Sequence, residues 1–174
     1  MKIEKVVVGN LQENCYILDI LGKVLVIDPG DEYEKIVDVI DGREILGILI
    51  THNHFDHVGA LLDIVNKYNV EVLKYDNLEE KEYNIGPFRF NVIFTPGHSS
   101  DSVTYYFKDT EVMFVGDFIF EGNIGRCDLP TGNYQVMLSS INKIKEYNPD
   151  IIIYPGHGNK TILKKEIESN IYFK

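Results

Sequence analysis

Three of the chain's five histidines lie within seven residues, in the segment THNHFDH at 51–57, together with the carboxylate of Asp56. The segment follows an apolar run at 45–50 that we predict to be a buried strand. Taken one at a time these residues also suit an ordinary loop, with Asp56 as the N-cap of a following helix. Taken together, clustered imidazoles and a carboxylate at the end of a buried strand need a shared partner, and a divalent cation is the usual one. The cluster therefore predicts a metal site.

The spacing of the side chains in segment 51–57 predicts that they point toward two separate metal positions. If the strand continues through Thr51, His52 and His54 point to the same side, because side chains two apart in a strand share a face. Asp56 and His57, where we expect a helix to begin, would then face a second point. Two-metal hydrolytic sites hold their ions about 3.5 to 4 Å apart. We therefore expect two metal positions, whereas a single metal would use fewer of these groups.

The remaining histidines, His98 and His157, each end a Pro-Gly-His tripeptide that follows an apolar strand. One such turn suits a solvated histidine, but two copies that account for every histidine outside the cluster favour further ligands. Asp117 ends a strand so apolar that an unpaired carboxylate there would be costly, and its two oxygens can bridge two cations. Asp28, in VLVIDPGD, has a similar setting. It either forms a hydrogen bond to a metal ligand without binding the ion itself, or forms an Asx turn.

The composition excludes several classes of protein. Seventeen basic against 27 acidic residues give a formal charge of −10 without a basic stripe, so we expect no nucleic-acid partner. No apolar run approaches the ~20 residues of a membrane span, and the N-terminal residues lack a signal peptide's apolar region. We therefore expect a cytoplasmic protein without a membrane partner. Cys15 and Cys127 are widely separated and form no CxxC motif, which predicts two free thiols.

The length and the hydrophobic pattern predict the architecture. The 174 residues contain no linker or low-complexity run, so we expect one domain over residues 1–174 and leave its oligomeric state open. Strands predicted from short β-branched and aromatic runs outnumber helices about two to one. We predict an α/β fold of four layers, two packed sheets covered outside by helices. The predicted strands are residues 3–9, 15–20, 23–28, 45–50, 70–75, 88–94, 102–107, 111–117 and 151–156. The predicted helices are residues 32–40, 57–68, 134–147 and 161–171.

Four motifs resemble a known family in their order and separation. THNHFDH, TPGHS, VGD and YPGHG look like the metal-binding motifs of the metallo-β-lactamase superfamily, and the resemblance runs from about Asn14 to Asn170. ENCYIL, VIDPGD, GNIGRCDLPTGN and PGHGNKTILKKEIESN are most similar to the small bacterial glyoxalase II-like hydrolases, which are related to hydroxyacylglutathione hydrolase. The resemblance implies the αββα fold of that superfamily, with two mixed sheets flanked by helices. It argues against a β-lactamase, because members with a cysteine ligand have it at the position of Asp117 and secreted enzymes carry a signal peptide.

The resemblance also implies roles for the matching residues. His52, His54 and His98 would bind one metal ion and Asp56, His57 and His157 a second, with Asp117 as the bridge. The ions would be zinc, with iron or manganese as alternatives. They would lower the pKa of a bound water to near neutrality, so that hydroxide attacks the carbonyl of a thioester such as a hydroxyacylglutathione. Asp56 would also orient the hydroxide and hold its proton, which makes Asp56 and Asp117 the catalytic carboxylates.

Substrate contacts and two rival functions stay open at this point. Arg126 and Lys160 lie in loops near the motifs and are the available cations for a substrate carboxylate, although Arg126 can instead pair with Asp128. A persulfide dioxygenase of the same superfamily would use only His52, His98 and Asp117 as a mononuclear iron triad. A metal-binding module without catalysis is the second rival.

Overall fold

The computed structural model describes all residues, 1–174, and contains thirteen strands and five α-helices. The strands are β1 (Lys2–Val8), β2 (Glu13–Ile20), β3 (Lys23–Ile27), β4 (Glu44–Leu49), β5 (Val72–Leu73), β6 (Glu82–Ile85), β7 (Phe88–Phe94), β8 (Val103–Phe107), β9 (Val112–Gly116), β10 (Ile119–Phe120), β11 (Asn123–Ile124), β12 (Ile152–Pro155) and β13 (Thr161–Ile162). The helices are α1 (Tyr33–Ile40), α2 (Phe55–Val58), α3 (Leu61–Tyr68), α4 (Tyr134–Lys145) and α5 (Leu163–Ser169). None of the helices is long and apolar enough to cross a membrane.

Two large sheets carry the fold, and both mix parallel and antiparallel pairs. The first has the order β1-β2-β3-β4-β5, antiparallel from β1 to β3 and parallel from β3 to β5. The second has the order β13-β12-β9-β8-β7-β6, in which only β12 and β9 are parallel. The central strands are short runs of Val, Ile, Leu and aromatic residues, which suit strands buried on both faces. Strands β10 and β11 form a separate small hairpin.

Three apolar clusters show how the layers are stacked. One cluster joins the facing sides of the two sheets, with residues such as Leu25 and Leu49 from the first sheet against Phe90 and Tyr105 from the second. A second cluster packs α1 and α3 on the outer face of the first sheet. A third packs α4 and α5 on the outer face of the second. The layers therefore run helix, sheet, sheet, helix, which confirms the predicted four-layer arrangement of two mixed sheets.

The predicted elements differ from the structure mainly at short strands and at one helix. The predicted helix 57–68 is interrupted between α2 and α3, because the backbone N–H of Ala60 donates to Pro29 O at 3.0 Å instead of continuing the helix. The predicted strand 70–75 shrinks to β5, and the helix predicted over 161–171 begins two residues later, after β13. Strands β6, β10, β11 and β13 were not predicted. They have two to four residues each, too few for a period-2 pattern to be recognised.

Candidate metal centre

The five histidines and the two acidic candidates meet at one edge of the paired sheets. The parallel strands β3 and β4 end there side by side, and so do the parallel strands β9 and β12. The end of β7 reaches the same edge, because β7 and β9 both run antiparallel to β8, which lies between them. The loops that leave these strand ends, with the short helix α2 that follows β4, carry all seven side chains. This placement follows the general rule that reactive groups collect on loops held by a rigid scaffold.

Three imidazoles form the first group. His54 Nδ1 lies 3.0 Å from His52 Nε2 and 2.9 Å from His98 Nε2. Two nitrogen ligands of one tetrahedral zinc ion are roughly 3.3 Å apart when each Zn–N distance is about 2.0–2.1 Å, so the observed spacing is close to that of a shared ion. The alternation predicted for His52 and His54 does not apply, because β4 ends at Leu49 and the loop places both rings.

Asp56, His57 and His157 form the second group, and Asp117 lies between the two groups. Asp56 Oδ2 is 3.2 Å from His157 Nε2. Asp117 Oδ1 is 3.4 Å from His57 Nε2 and 3.6 Å from His157 Nε2. Its other oxygen, Oδ2, is 3.6 Å from His98 Nε2 in the first group. Each oxygen of Asp117 therefore faces a different group, as a bridging carboxylate requires.

Unpaired buried atoms support a cation in the second group. His57 Nε2 and Asp117 Oδ1 are both buried and neither has a hydrogen-bond partner. Burying polar atoms without partners is costly, and such atoms in a folded protein indicate a missing ligand. An imidazole nitrogen and a carboxylate oxygen are donors that divalent transition metals accept. The residues present therefore fit a metal ion in each group.

The protonation states agree with this arrangement. Burial, together with the surrounding imidazoles, lowers the pKa of His52 well below its usual range, which keeps its ring neutral and its nitrogen free to bind a metal. Burial also lowers the pKa of His98. For His57, burial acts in the same direction, but the carboxylates of Asp117 and Asp28 outweigh it and raise the pKa well above its usual value. Carboxylates that favour a proton at His57 also favour a metal cation in its place.

Comparison with known proteins places the chain in a family. The model of the metallo-beta-lactamase superfamily matches residues 8–82 and 73–157. The chain belongs to the metallo-beta-lactamase superfamily. Among its relatives, it is 34% identical to a probable metallo-hydrolase, YqgX, of Bacillus subtilis (98% of this chain, 96% of the relative). It is 31% identical to the hydroxyacylglutathione hydrolase GloC of Haemophilus influenzae (98% and 97%).

Solved structures of other superfamily proteins have the same fold. The BLEG-1 B3 metallo-beta-lactamase superposes with a TM-score of 0.95 at 29% identity, covering 99% of both chains. The TTHA1623 protein, solved in a di-iron-bound form, superposes with a TM-score of 0.91 at 31% identity, covering 97% of this chain and 99% of that one. These likenesses confirm the fold expected of the superfamily, and they support a metal-dependent hydrolase.

The superfamily site is held in place by hydrogen bonds to the outer nitrogens of its histidines. Asp28 Oδ2 lies 2.9 Å from His57 Nδ1 and also accepts the hydroxyl of Thr51, whose backbone N–H bonds Asp28 Oδ1 at 2.7 Å. His98 Nδ1 is 2.8 Å from Arg126 O, and His157 Nδ1 is 3.1 Å from Leu11 O. Such contacts fix the ring orientation and leave the opposite nitrogen for a metal. Of the two roles that the sequence suggested for Asp28, the structure therefore favours the hydrogen bond to a candidate metal ligand, His57.

Two residues of this superfamily member were missed in the sequence, and both lie at the start of β2. Asn14 Nδ2 donates to Pro155 O at 3.0 Å and to Gly158 O at 3.1 Å, so its side chain brackets the loop that carries His157. Glu13 is 1% exposed, and neither of its oxygens has a hydrogen-bond partner. Its Oε1 is 3.8 Å from His57 Nδ1, and burial raises the pKa of this carboxyl well above its usual value. The only signal in the sequence is a polar pair directly before an apolar run.

A cavity of about 690 Å³ opens over the site. Among the polar residues that line it are Asp56 and Asp117, the two carboxylates predicted to be catalytic. Its apolar wall consists of Leu11, Phe55, Phe120, Leu129 and Pro130. None of these five residues was predicted, because single apolar residues in loops carry no periodic signal.

The two predicted substrate cations occupy different places. Arg126 lines the cavity, but its Nε and an Nη atom each bond Asp128 at 2.7 Å, the ion pair that the sequence offered as an alternative. Lys160 does not line this cavity. It lies in a separate pocket, with its Nζ 5.7 Å from the centre of the Tyr154 ring.

Proposed function

We propose that this superfamily member is a hydrolase that uses two divalent cations to cleave acyl thioesters. The observation that carries the proposal is the pair of donor groups joined by Asp117, one of whose oxygens faces each group. The hydroxyacylglutathione hydrolase named among the relatives supports a thioester as the scissile bond. Zinc suits a set rich in imidazole nitrogens, and iron or manganese remain alternatives. The two free thiols suit action in the reducing cytoplasm.

The chain's own residues would act in three ways. His52, His54 and His98 would hold one cation, and Asp56, His57 and His157 the other, with Asp117 between them. The cations, when bound, supply a water that ionises near neutral pH and a Lewis acid for the carbonyl oxygen. Asp56 lies in the cavity wall and carries a carboxyl whose pKa is lowered, because the imidazoles of His157 and His57, with a backbone hydrogen bond, together outweigh its burial. It is therefore ionised at neutral pH, where it can orient the attacking water and take up its proton.

The bond changes of thioester hydrolysis need no proton donor beyond the residues that line the cavity. A C–O bond forms at the acyl carbon while the C–S bond breaks, and the electron pair of that bond leaves on sulfur. A thiolate is stable at neutral pH relative to an alkoxide or an amide anion, so its departure needs no proton donor. The groups described above are therefore sufficient for the hydrolysis of a thioester.

The test combines metal analysis with turnover of the purified chain. We expect close to two metal ions per chain and thiol release from S-lactoylglutathione or a simpler thioester. His54→Ala should bind one ion fewer and lose thioester hydrolysis while remaining folded, because its ring lies in a loop at the sheet edge. Full activity in His54→Ala would contradict the proposal.

Other superfamily activities give different results in the same preparation. One iron per chain with oxygen uptake in glutathione persulfide would replace the hydrolase with a mononuclear dioxygenase. Two ions per chain with no turnover of any thioester would leave a metal-binding module. A cephalosporin belongs in the panel because similar structures, BLEG-1 among them, are named metallo-beta-lactamases, and we expect its hydrolysis to be much slower than that of the best thioester.

A further inference from the structure

The wall of the cavity over the metal centre is apolar and exposed. Leu11 is 54% exposed and Phe55 is 75% exposed, although both are large apolar side chains. Together with Phe120, Leu129 and Pro130, they form the apolar part of the cavity, which we call the groove. Exposed apolar side chains grouped around a polar reaction centre are typical of a ligand-binding groove, because the ligand completes their burial.

Apart from the proposed metal ions, the cavity offers no unpaired Lys or Arg to an anionic substrate. Arg126 is the one basic side chain among the lining residues, apart from the histidines. Both of its bonded nitrogens already contact Asp128, at 2.7 Å each. A substrate carboxylate would either displace Asp128 or bind the remaining N–H groups of a guanidinium whose charge Asp128 already offsets, and both contacts gain little at an exposed site.

The surroundings of the groove are acidic. Next to Phe120, the carboxylate of Glu121 forms an ion pair with Lys165 and accepts a hydrogen bond from Asn159, so Lys165 is not free to bind an anionic substrate. Asp31 borders the pocket behind Leu11 and Phe55. The whole chain has a formal charge of −10, which disfavours the approach of an anion. Glutathione carries two carboxylates, and none of these groups complements them.

We propose that the groove binds the uncharged, apolar part of an acyl thioester, and that a glutathione thioester is not the preferred substrate. This inference rests on the thioester hydrolysis proposed above and narrows its substrate class. Leu11 and Phe55 would cover one side of the apolar chain, and Leu129 and Pro130 another. The polar end, with the scissile carbonyl, would lie at Asp56 and Asp117.

Two comparisons with the metal-loaded protein test the substrate class. In the first, one acyl group is carried on glutathione and on N-acetylcysteamine, an uncharged thiol. We expect kcat/KM for the N-acetylcysteamine ester to equal or exceed that for the glutathione ester. In the second, hexanoyl and acetyl N-acetylcysteamine are compared. The hexanoyl chain has four more methylenes, and each methylene that is fully buried contributes roughly fourfold. We expect kcat/KM to rise by roughly tenfold or more, since burial of two of the four already gives about sixteenfold.

Variants of the wall separate the groove from the metal centre. Phe55→Ala and Leu11→Ala should each lower the hexanoyl-to-acetyl ratio several-fold, and Phe55→Leu should restore part of it. Leu62→Ala is the matched control, because Leu62 is 70% exposed on α3 and does not line the cavity. The number of metal ions per chain should stay at the wild-type value in all four variants. The affinities of the matching thioethers, which bind without turnover, should rank in the same order as kcat/KM, with the lowest dissociation constant for the best substrate.

The outcomes distinguish the inference from the function on which it rests. Chain-length ranking of the thioethers without turnover of any thioester would remove the proposed function and leave the groove. A glutathione ester preferred by tenfold or more, with the preference abolished by Arg126→Gln, would overturn the inference and leave the hydrolase. A hexanoyl-to-acetyl ratio near one, or a ratio unchanged by Phe55→Ala, would also overturn it.

Discussion

Asp28→Asn should weaken the second metal position and spare the first. The carboxylate of Asp28 accepts three donors, Thr51 N at 2.7 Å, Thr51 Oγ1 at 2.5 Å and His57 Nδ1 at 2.9 Å. Asparagine has the same shape and tolerates the positive φ of 48° found at this position. One of its two terminal groups is a donor, however. Turned toward His57 it opposes the N–H there, and turned toward Thr51 N it leaves a buried backbone donor unpaired.

The size of the effect follows from the loss of one hydrogen bond to a charged acceptor. Such a bond contributes about 1.5–3 kcal/mol, which corresponds to roughly 10- to 100-fold in a binding constant. If His57 instead changes its tautomer to suit the amide, its proton moves to Nε2 and blocks the nitrogen that faces Asp117. Both routes weaken the group of Asp56, His57 and His157, and neither reaches His54 or His98.

Competition with a chromophoric chelator measures the two binding constants of the variant and the wild type. We expect one ion held with unchanged affinity and a second weakened roughly 10- to 100-fold. Thr51→Val is the contrasting variant, because it removes one donor to the same carboxylate but leaves the charge that faces His57. The lost hydroxyl also lies 3.1 Å from His52 Nδ1, so any weakening in Thr51→Val should fall on the first ion. Equal weakening of both ions, or no change in the second, would refute the argument that Asp28 acts through His57.

Three further changes test other parts of the structure. Gly156→Ala would put a Cβ 2.4 Å from Asp117 Oδ1, so the variant should bind one ion fewer and lose most activity. Gly158→Ala is its control, because a Cβ there meets no atom within 4 Å. Thermal unfolding should show a loss of stability of only about 1 kcal/mol in Gly158→Ala, caused by the positive φ of that residue. Cys15→Ser should lower stability by about 1–3 kcal/mol, because Cys15 is fully buried in β2. The kcat of the metal-loaded variant should stay near the wild-type value, and a large loss of turnover would show that the role of Cys15 is not purely structural. Arg43→Met should lower stability at pH 7 by about 1–3 kcal/mol, because the guanidinium bonds Asp19 at 2.6 Å. Arg43 and a backbone N–H lower the pKa of Asp19, so this contribution is present above about pH 4 and lost as the pH falls further, and the gap between variant and wild type in urea unfolding should narrow there.

The convergence of the candidate ligands could be predicted because most of them have a local signature. His98, Asp117 and His157 each follow an apolar strand that can be recognised by itself, and His52 and His54 follow another. Strand ends that share an edge bring such residues together whatever the detailed path of the loops. The prediction was therefore right about which residues converge, although the alternation invoked for His52 and His54 was wrong, since β4 stops at Leu49.

The supporting residues could not be predicted because their role depends on contacts between distant segments. Asn14 is defined by the two carbonyls that it brackets, at Pro155 and Gly158, and nothing near it in the sequence indicates them. Glu13 is a buried carboxyl group without a hydrogen-bond partner because β2 starts at the edge where His57 lies. By contrast, the pairing of Arg126 with Asp128 could be predicted as an alternative, because the two residues are only two positions apart in the sequence.

The two sheets are joined at the metal centre by hydrogen bonds as well as by the proposed cations. The loop after β4 supplies His52, His54, Asp56 and His57, and the second sheet supplies the other three side chains, so each donor group draws on both sheets. The same edge is bridged by protein bonds: Val103 N donates to Thr51 O at 2.7 Å, and Asn14 N donates to Gly156 O at 2.7 Å. Because these bonds fix the loops against each other, the donor groups are held close to binding geometry by the packing of the sheets. A cation would then find its ligands largely preorganised, so that little ordering of the loops opposes its binding.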